Sequence, residues 1–77
     1  MPNAEIIGNI LKELRESKGL TQEQLSGLAA LDRTHYSKIE RGLRSPTIET
    51  LFKIAHALGT KPHELVKILE NKINIEY

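Results

Sequence analysis

Apolar residues near the start of the chain recur at a helical spacing. They are Ile6, Ile7, Ile10, Leu11 and Leu14. Because residues three and four apart lie on one face of an α-helix, this pattern predicts an amphipathic helix that begins near Ala4 or Glu5. Gly19 follows the pattern and suits the left-handed position at which many helices end.

Two shorter helices are predicted next, and each has a side chain that caps its first turn. Thr21 and Gln24 have the spacing of a capping box, so a second helix is expected over residues 22–29. Asp32 is a favourable N-cap residue for a third helix over residues 33–41. The second helix is too short to persist alone, so its neighbours must hold it in place.

The remaining apolar positions predict two further helices and complete an all-α fold. Thr47 caps a fourth helix, and Pro62 suits the first turn of a fifth. The apolar positions of these two helices, all but Val66 of them predicted core, are Ile48, Leu51, Phe52, Ala55, Leu58, Leu65, Val66, Ile68 and Leu69. We expect a compact five-helix domain over residues 1–70, followed by a tail over residues 71–77.

The tail has a different pattern from the helices. From Lys72 to Tyr77 apolar and polar residues alternate, which predicts a short strand or an extended arm. Its apolar side chains either fold back on the same subunit or form a two-fold interface. We favour the interface, to which we assign Val66, Ile73, Ile75 and Tyr77.

Length and composition restrict the class of protein. The chain has 77 residues, which suffices for one domain, and 39% of them are hydrophobic. It has no cysteine, so a disulfide framework and a thiol nucleophile are excluded. No stretch resembles a transmembrane helix or a secretory signal, so we expect a cytoplasmic protein without membrane partners.

The second and third predicted helices have the arrangement of a helix-turn-helix. A turn of about three residues joins them, and the later helix has a polar outer face. In such a unit one helix contacts the DNA backbone while the next enters the major groove. The sequence therefore predicts that double-stranded DNA is the partner.

Several short motifs lie in register around this unit. They are Leu20-Thr21-Gln22-Glu23-Gln24-Leu25, Ile39-Glu40-Arg41-Gly42, Ser45-Pro46-Thr47-Ile48-Glu49-Thr50-Leu51 and Ala57-Leu58-Gly59. Over residues 11–69 this string resembles the Cro/phage-repressor-like (XRE) helix-turn-helix family of transcriptional regulators. The Arg33-Thr34 start of the third helix is most similar to restriction–modification controller proteins, which are small stand-alone dimers.

The resemblance implies roles for particular side chains. Base-facing positions of the family match Arg33, Thr34, Ser37 and Lys38, and backbone-contacting positions match Gln22, Arg44 and Ser45. His35 points toward the flank of the third helix, where a phosphate is within reach. The chemistry agrees, because an arginine donates two parallel hydrogen bonds to guanine and a threonine methyl packs on thymine.

Positive charge is concentrated in the third predicted helix and in the loop that follows it. The formal net charge is only +1, yet residues 33–44 contain four cationic side chains and a single acid, Glu40. The resemblance implies that Glu40 forms a structural salt bridge with Arg15 on the first helix. The local positive charge would then remain available to DNA.

Two positions depart from the family pattern. Ala30 occupies a turn position where the family commonly has glycine, and a positive φ there costs a non-glycine residue about 1 kcal/mol. Tyr36 occupies a position that usually holds a smaller aliphatic residue. We expect its ring to fill the core while its hydroxyl reaches the surface.

Other classes of function lack the residues that they need. His35, His56 and His63 do not have the spacing of metal ligands, and no set of catalytic side chains is assembled. We expect no cofactor, no metal, no small-molecule ligand and no enzymatic activity. The predicted function is a dimeric DNA-binding regulator of a near-palindromic operator. The alternative is an antitoxin or protein-interaction module that uses the fifth helix and the tail.

Overall fold

Five helices make up the part of the chain that the computed structural model describes, residues 2–73. They are α1 (Pro2–Ser17), α2 (Gln22–Leu28), α3 (Arg33–Glu40), α4 (Ile48–Leu58) and α5 (Pro62–Lys72). No strand occurs within these residues. The predicted all-α, five-helix fold is therefore confirmed.

The starts of the three middle helices are fixed by the predicted caps. The Thr21 hydroxyl oxygen accepts a hydrogen bond from the backbone N–H of Gln24 at 3.0 Å, and the Gln24 side chain accepts one from the Thr21 N–H at 2.9 Å. Asp32 accepts from the His35 N–H at 3.0 Å, and Thr47 caps α4 in the same way. Backbone donors that a helix start leaves unpaired are thus satisfied by local side chains.

The helix ends differ from the predicted boundaries by one or two residues. Helix α1 begins at Pro2 rather than near Ala4, since the fixed φ of proline suits a first helical turn. Helix α5 continues to Lys72, so residues 71 and 72 of the predicted tail are helical, and Ile73, the last described residue, has an extended backbone. Residues 74–77, which include Ile75 and Tyr77, lie outside the described part of the chain.

All five helices contribute to one buried core. Its members are Ile10, Leu11, Leu25, Ala29, Tyr36, Ile39, Ile54, Ala55, Leu58, Leu65 and Leu69. Two predicted core residues lie elsewhere, because Ile48 is 71% and Phe52 54% exposed; Val66, assigned above to an interface, is 45% exposed. Helix α4 turns a different stripe inward, with Ile54 fully buried, and Ile48 and Phe52 fall outside that stripe.

Helix α1 crosses the end of α3 at very short range. A methyl group on Gly8 would overlap the carbonyl oxygen of Ile39 and lie 2.5 Å from that of Glu40. A methyl group on Gly42 would lie 2.8 Å from the Cα atom of Glu5. The backbone of α1 therefore rests directly on the last turn of α3, and this contact helps to orient α3.

The Gly8 contact predicts opposite effects for two glycine substitutions. Gly8→Ala should lower the free energy of unfolding by about 1–3 kcal/mol, because the backbone must move to admit the methyl group. Gly27→Ala is the matched control, since Gly27 is also helical and nothing lies within 4 Å of its added methyl. That change should raise stability by up to ~1 kcal/mol through helix propensity. Urea unfolding measures both, and equal stabilisation by the two changes would contradict the close approach.

Candidate nucleic-acid interface

A tight turn sets the angle between α2 and α3. Ala30 has a φ of 55°, so the turn keeps the left-handed residue even though alanine replaces the usual glycine. The N–H of Leu31 donates to the Ser26 carbonyl at 2.8 Å, and the N–H of Ala30 donates to the Gly27 carbonyl at 3.2 Å. These bonds hold the turn in a conformation that costs alanine about 1 kcal/mol.

Helix α3 has a buried face and an open one. Tyr36, Ile39 and Glu40 are buried against the rest of the domain. The four predicted base-contacting residues form two pairs whose members are four residues apart, and the two pairs lie side by side, so all four share one broad stripe of the helix. Of these, Arg33 and Thr34 are exposed, and Ser37 and Lys38 are half-buried. Among the described residues neither Arg33 nor Lys38 forms an ion pair, so both charges are free to meet an external group.

The predicted backbone-contacting residues lie at the edges of this unit. Arg44 and Ser45 are exposed in the loop between α3 and α4, and His35 is half-buried in the first turn of α3. Gln22 is half-buried at the start of α2, where its Nε2 donates to a Glu40 carboxylate oxygen at 2.9 Å. The Gln22 side chain is therefore oriented by the protein before any ligand arrives.

A buried ion pair fastens the helix-turn-helix to α1. The Arg15 Nε donates to Glu40 Oε2 at 2.7 Å, and its Nη2 donates to Glu40 Oε1 at 3.2 Å. The remaining guanidinium nitrogen donates to the Leu20 carbonyl at 2.6 Å, next to the α2 cap. Together with the bond from Gln22, these contacts join α1, α2 and α3 in one polar cluster.

The surroundings of the pair shift the protonation of its members. Burial by itself would raise the pKa of the Glu40 carboxyl, but hydrogen bonds from Arg15 and Gln22 outweigh burial and lower that pKa. The same hydrogen bond to Glu40 raises the pKa of the Arg15 guanidinium. The cluster therefore holds one negative and one positive charge across the whole physiological range.

Tyr36 lies beside this cluster and corrects one expectation. Its hydroxyl does not reach the surface, because the whole residue is buried and the oxygen has no hydrogen-bond partner within the described residues. Burial raises the pKa of the Tyr36 hydroxyl, and the neighbouring Glu40 carboxylate raises it further. Tyr36 is thus a neutral core residue and is not one of the polar groups that α3 presents to a ligand.

The described residues give no sign of metal or membrane chemistry. Within residues 2–73 no three side chains of the metal-ligating types come together in a group able to hold an ion. None of the helices in this part of the chain has the length and apolar character needed to cross a membrane.

The Arg15–Glu40 pair makes stability depend on pH in a defined direction. Because the folded-state pKa of Glu40 lies below its ordinary value of 4.5, the ionised carboxylate stabilises the fold above that pH. This contribution is lost as the pH falls through the lower, folded-state pKa. Glu40→Gln should lower the free energy of unfolding by about 3 kcal/mol near neutral pH and by much less near pH 3.

Urea unfolding at both pH values measures this difference between wild type and variant. Glu13→Gln is the control, since Glu13 is exposed on α1 and forms no ion pair within the described residues. It should have little effect at either pH. A gap between wild type and Glu40→Gln that stays constant down to about pH 3 would contradict the assignment of the lowered pKa.

Comparison with known proteins agrees with this geometry. The family model described as Helix-turn-helix matches residues 11–65. The HTH-type transcriptional regulator y4dJ of Sinorhizobium fredii is 39% identical over 66 residues, which cover 86% of each chain. The control protein C.MunI of Mycoplasma sp is 42% identical over 66 residues, which cover 84% of this chain and 89% of that protein.

Solved structures with the same fold include two restriction–modification controllers. The controller protein C.AhdI from Aeromonas hydrophila superimposes with a TM-score of 0.80 at 40% identity, over 84% of this chain and 98% of that one. A variant of C.Esp1396I, bound to its highest-affinity operator site, gives a TM-score of 0.82 at 33% identity, over 91% and 92%. The chain therefore belongs to the helix-turn-helix family of transcriptional regulators that includes the restriction–modification controller proteins.

Proposed function

We propose that the protein is a sequence-specific DNA-binding transcriptional regulator that acts as a dimer on a near-palindromic operator. The open stripe of α3 carries this proposal, because its hydrogen-bonding side chains face outward while the opposite face is locked into the core. A regulator of this kind works on DNA in the cytoplasm and needs no cofactor.

The chemistry of the stripe suits the major groove. Arg33 is able to donate two hydrogen bonds to O6 and N7 of guanine, and Thr34 to bond a base edge or pack on a thymine methyl. Lys38 lies more than a turn further along and reaches a guanine or a phosphate. Ser37 completes the set with a short donor and acceptor.

The flanking side chains suit the DNA backbone. Arg44 and Ser45 project from the loop after α3, and His35 lies beside the base-reading stripe. Such contacts fix the position of a protein on the duplex without reading its sequence. Arg44 also has the charge and length to enter a narrow minor groove.

Dimerisation is part of the proposal because one recognition helix reads only a few base pairs. Two copies related by a two-fold axis would place their α3 helices in successive major grooves about 34–36 Å apart. The side chains first assigned to the interface differ in their surroundings. Val66 is exposed, whereas Ile73 is half-buried and packs against the core of its own chain.

Two exposed apolar side chains on α4 form a second candidate surface for dimerisation. Ile48 and Phe52 are one helical turn apart and lie on one face, although each is more than half exposed. Beside them Glu49 and Lys53 carry opposite charges. A two-fold axis close to this face would place the apolar side chains of two copies against each other, and the acid of one copy against the base of the other. We therefore propose that a second copy of the chain packs on this face.

Selection from a random duplex pool tests the function directly. At physiological salt the wild-type protein should enrich an inverted repeat whose half-sites are one helical turn apart. Selection with Arg33→Ala should keep the inverted repeat but lose preference at one base pair of each half-site, with a cost of about 1–3 kcal/mol.

The control for this selection is Lys67→Ala, an exposed change on α5 that should leave the enriched sequence intact. If Arg33→Ala weakened every sequence equally, Arg33 would be a phosphate contact and the base-reading assignment would be wrong. If the wild type enriched nothing at any concentration, the proposed function would fail.

The proposed α4 interface predicts how two charge substitutions affect the oligomeric state of the protein. Phe52→Glu should convert the dimer to a monomer, because it buries two unpaired carboxylates at the two-fold axis. Leu28→Glu is the control, since Leu28 is 59% exposed on α2 and should not affect association. Sedimentation equilibrium distinguishes the species. A Phe52→Glu protein as dimeric as the wild type, with dissociation caused by Val66→Glu instead, would move the interface to α5.

A further inference from the structure

Gly8 lies where the backbone of α1 approaches the end of α3 most tightly among the glycines of the two helices. A methyl group added to Gly8 would overlap the Ile39 carbonyl oxygen and lie 2.5 Å from the Glu40 carbonyl oxygen. Ordinary van der Waals contact of such a methyl group begins at 3.4 Å. A residue with a side chain at this position would therefore push the two backbones apart by about 1 Å.

The atoms that face Gly8 cannot move independently of α3. They belong to the backbone, whereas a clash with the end of a flexible side chain is relieved by a change of rotamer. The Ile39 carbonyl also accepts a hydrogen bond from the Gly42 N–H at 3.1 Å, in the turn that leads to the loop after α3. A displacement of this carbonyl consequently moves the end of α3 and the start of the loop together.

The opposite end of α3 is held by contacts that do not involve α1. The turn at Ala30 joins it to α2, and the Asp32 side chain caps its first turn. A shift imposed by α1 would therefore displace mainly the last turn of α3. Ser37 and Lys38 lie within one helical turn of Glu40, so they would move more than the base-contacting residues at the start of the helix.

We infer that Gly8 is a positioning residue for sequence recognition, because its lack of a side chain sets where α3 places Ser37 and Lys38 relative to the base edges. The inference rests on the proposed function and extends it to a buried residue of α1. Contacts in a binding site require placement to within about 0.5 Å. A displacement of about 1 Å is therefore enough to impair them without unfolding the domain.

The ratio of two affinities tests this role. Fluorescence anisotropy titrations give the Kd for a random duplex and for the selected operator, and their ratio measures specificity. Gly8→Ala should lower the ratio about tenfold, as one mismatched base pair does. Affinity for the random duplex should change by less than about twofold, because phosphate contacts do not read sequence.

Selection from a random duplex pool locates the loss along the operator. Gly8→Ala should weaken the preference at base pairs near Ser37 and Lys38. It should keep the preference at the base pair whose selection Arg33→Ala abolishes, because Arg33 lies about two helical turns from the Gly8 contact. The two variants should therefore lose different positions of each half-site.

Loss of stability by itself would not change the ratio. When part of the protein is unfolded, the apparent affinities for both duplexes fall by the same factor. Leu65→Ala is the control, since Leu65 is fully buried on α5 and its truncation leaves a cavity outside the DNA-binding unit. Leu65→Ala should lower the urea midpoint at least as far as Gly8→Ala and leave the ratio unchanged.

A second variant keeps the test valid if Gly8→Ala is only partly folded. A methyl group added to Gly27 meets nothing within 4 Å, so Gly27→Ala should raise the urea midpoint and leave operator binding unchanged. The double variant Gly8→Ala/Gly27→Ala should therefore be more stable than Gly8→Ala but keep its lowered ratio.

The outcomes distinguish the inference from the proposed function. A wild-type ratio in both Gly8→Ala and the double variant would overturn the inference and leave the proposed function intact. An equal fall of the ratio in Leu65→Ala would also overturn it, because stability rather than position would then determine specificity. A wild type that binds the operator no better than a random duplex would overturn both.

Discussion

The buried ion pair between Arg15 and Glu40 is the interaction on which the recognition surface depends. A buried charge without a partner is costly, so each member of the pair requires the other. Arg15 also donates to the Leu20 carbonyl, and Gln22 donates to Glu40, so the pair joins α1 to both helices of the DNA-binding unit. Together with the turn at Ala30, the pair therefore holds α2 and α3 in place through groups outside the base-reading stripe.

The same pair explains how a nearly neutral protein presents a positive surface. Because the formal net charge is only +1, the long-range attraction of the whole protein to DNA is weak. Attraction therefore depends mainly on where the charged side chains lie. Glu40 is the single acid between residues 33 and 44, and Arg15 compensates it from the core side. Within residues 33–44 the cations are consequently not offset by a free acid.

Much of the fold could be predicted from the sequence because the informative signals are local. Thr21 with Gln24 and Asp32 with His35 form caps within three residues of each other, so their spacing alone locates two helix starts. The inward stripe of α4 was not predictable in this way. That helix has apolar residues on two faces, and only the packing of its neighbours decides that Ile54 is buried while Phe52 is exposed. Tyr36 shows the same limit, since burial of its hydroxyl depends on what surrounds α3.

The residues of the candidate site also divide into those that the sequence could predict and those that depend on the packing of the helices. The base-facing set occupies one stripe of one helix, so its members share a face wherever the helix lies, and sequence alone could propose them. The contacts that orient this helix come from α1 and α2 as well as α3, and no helical periodicity brings Arg15 next to Glu40. Gln22 connects α2 to α3, because one hydrogen of its amide is donated to Glu40 while the other remains available. A contact to DNA through Gln22 would therefore act on a side chain already fixed to the Arg15–Glu40 pair. In that way backbone binding and the orientation of α3 would depend on the same carboxylate.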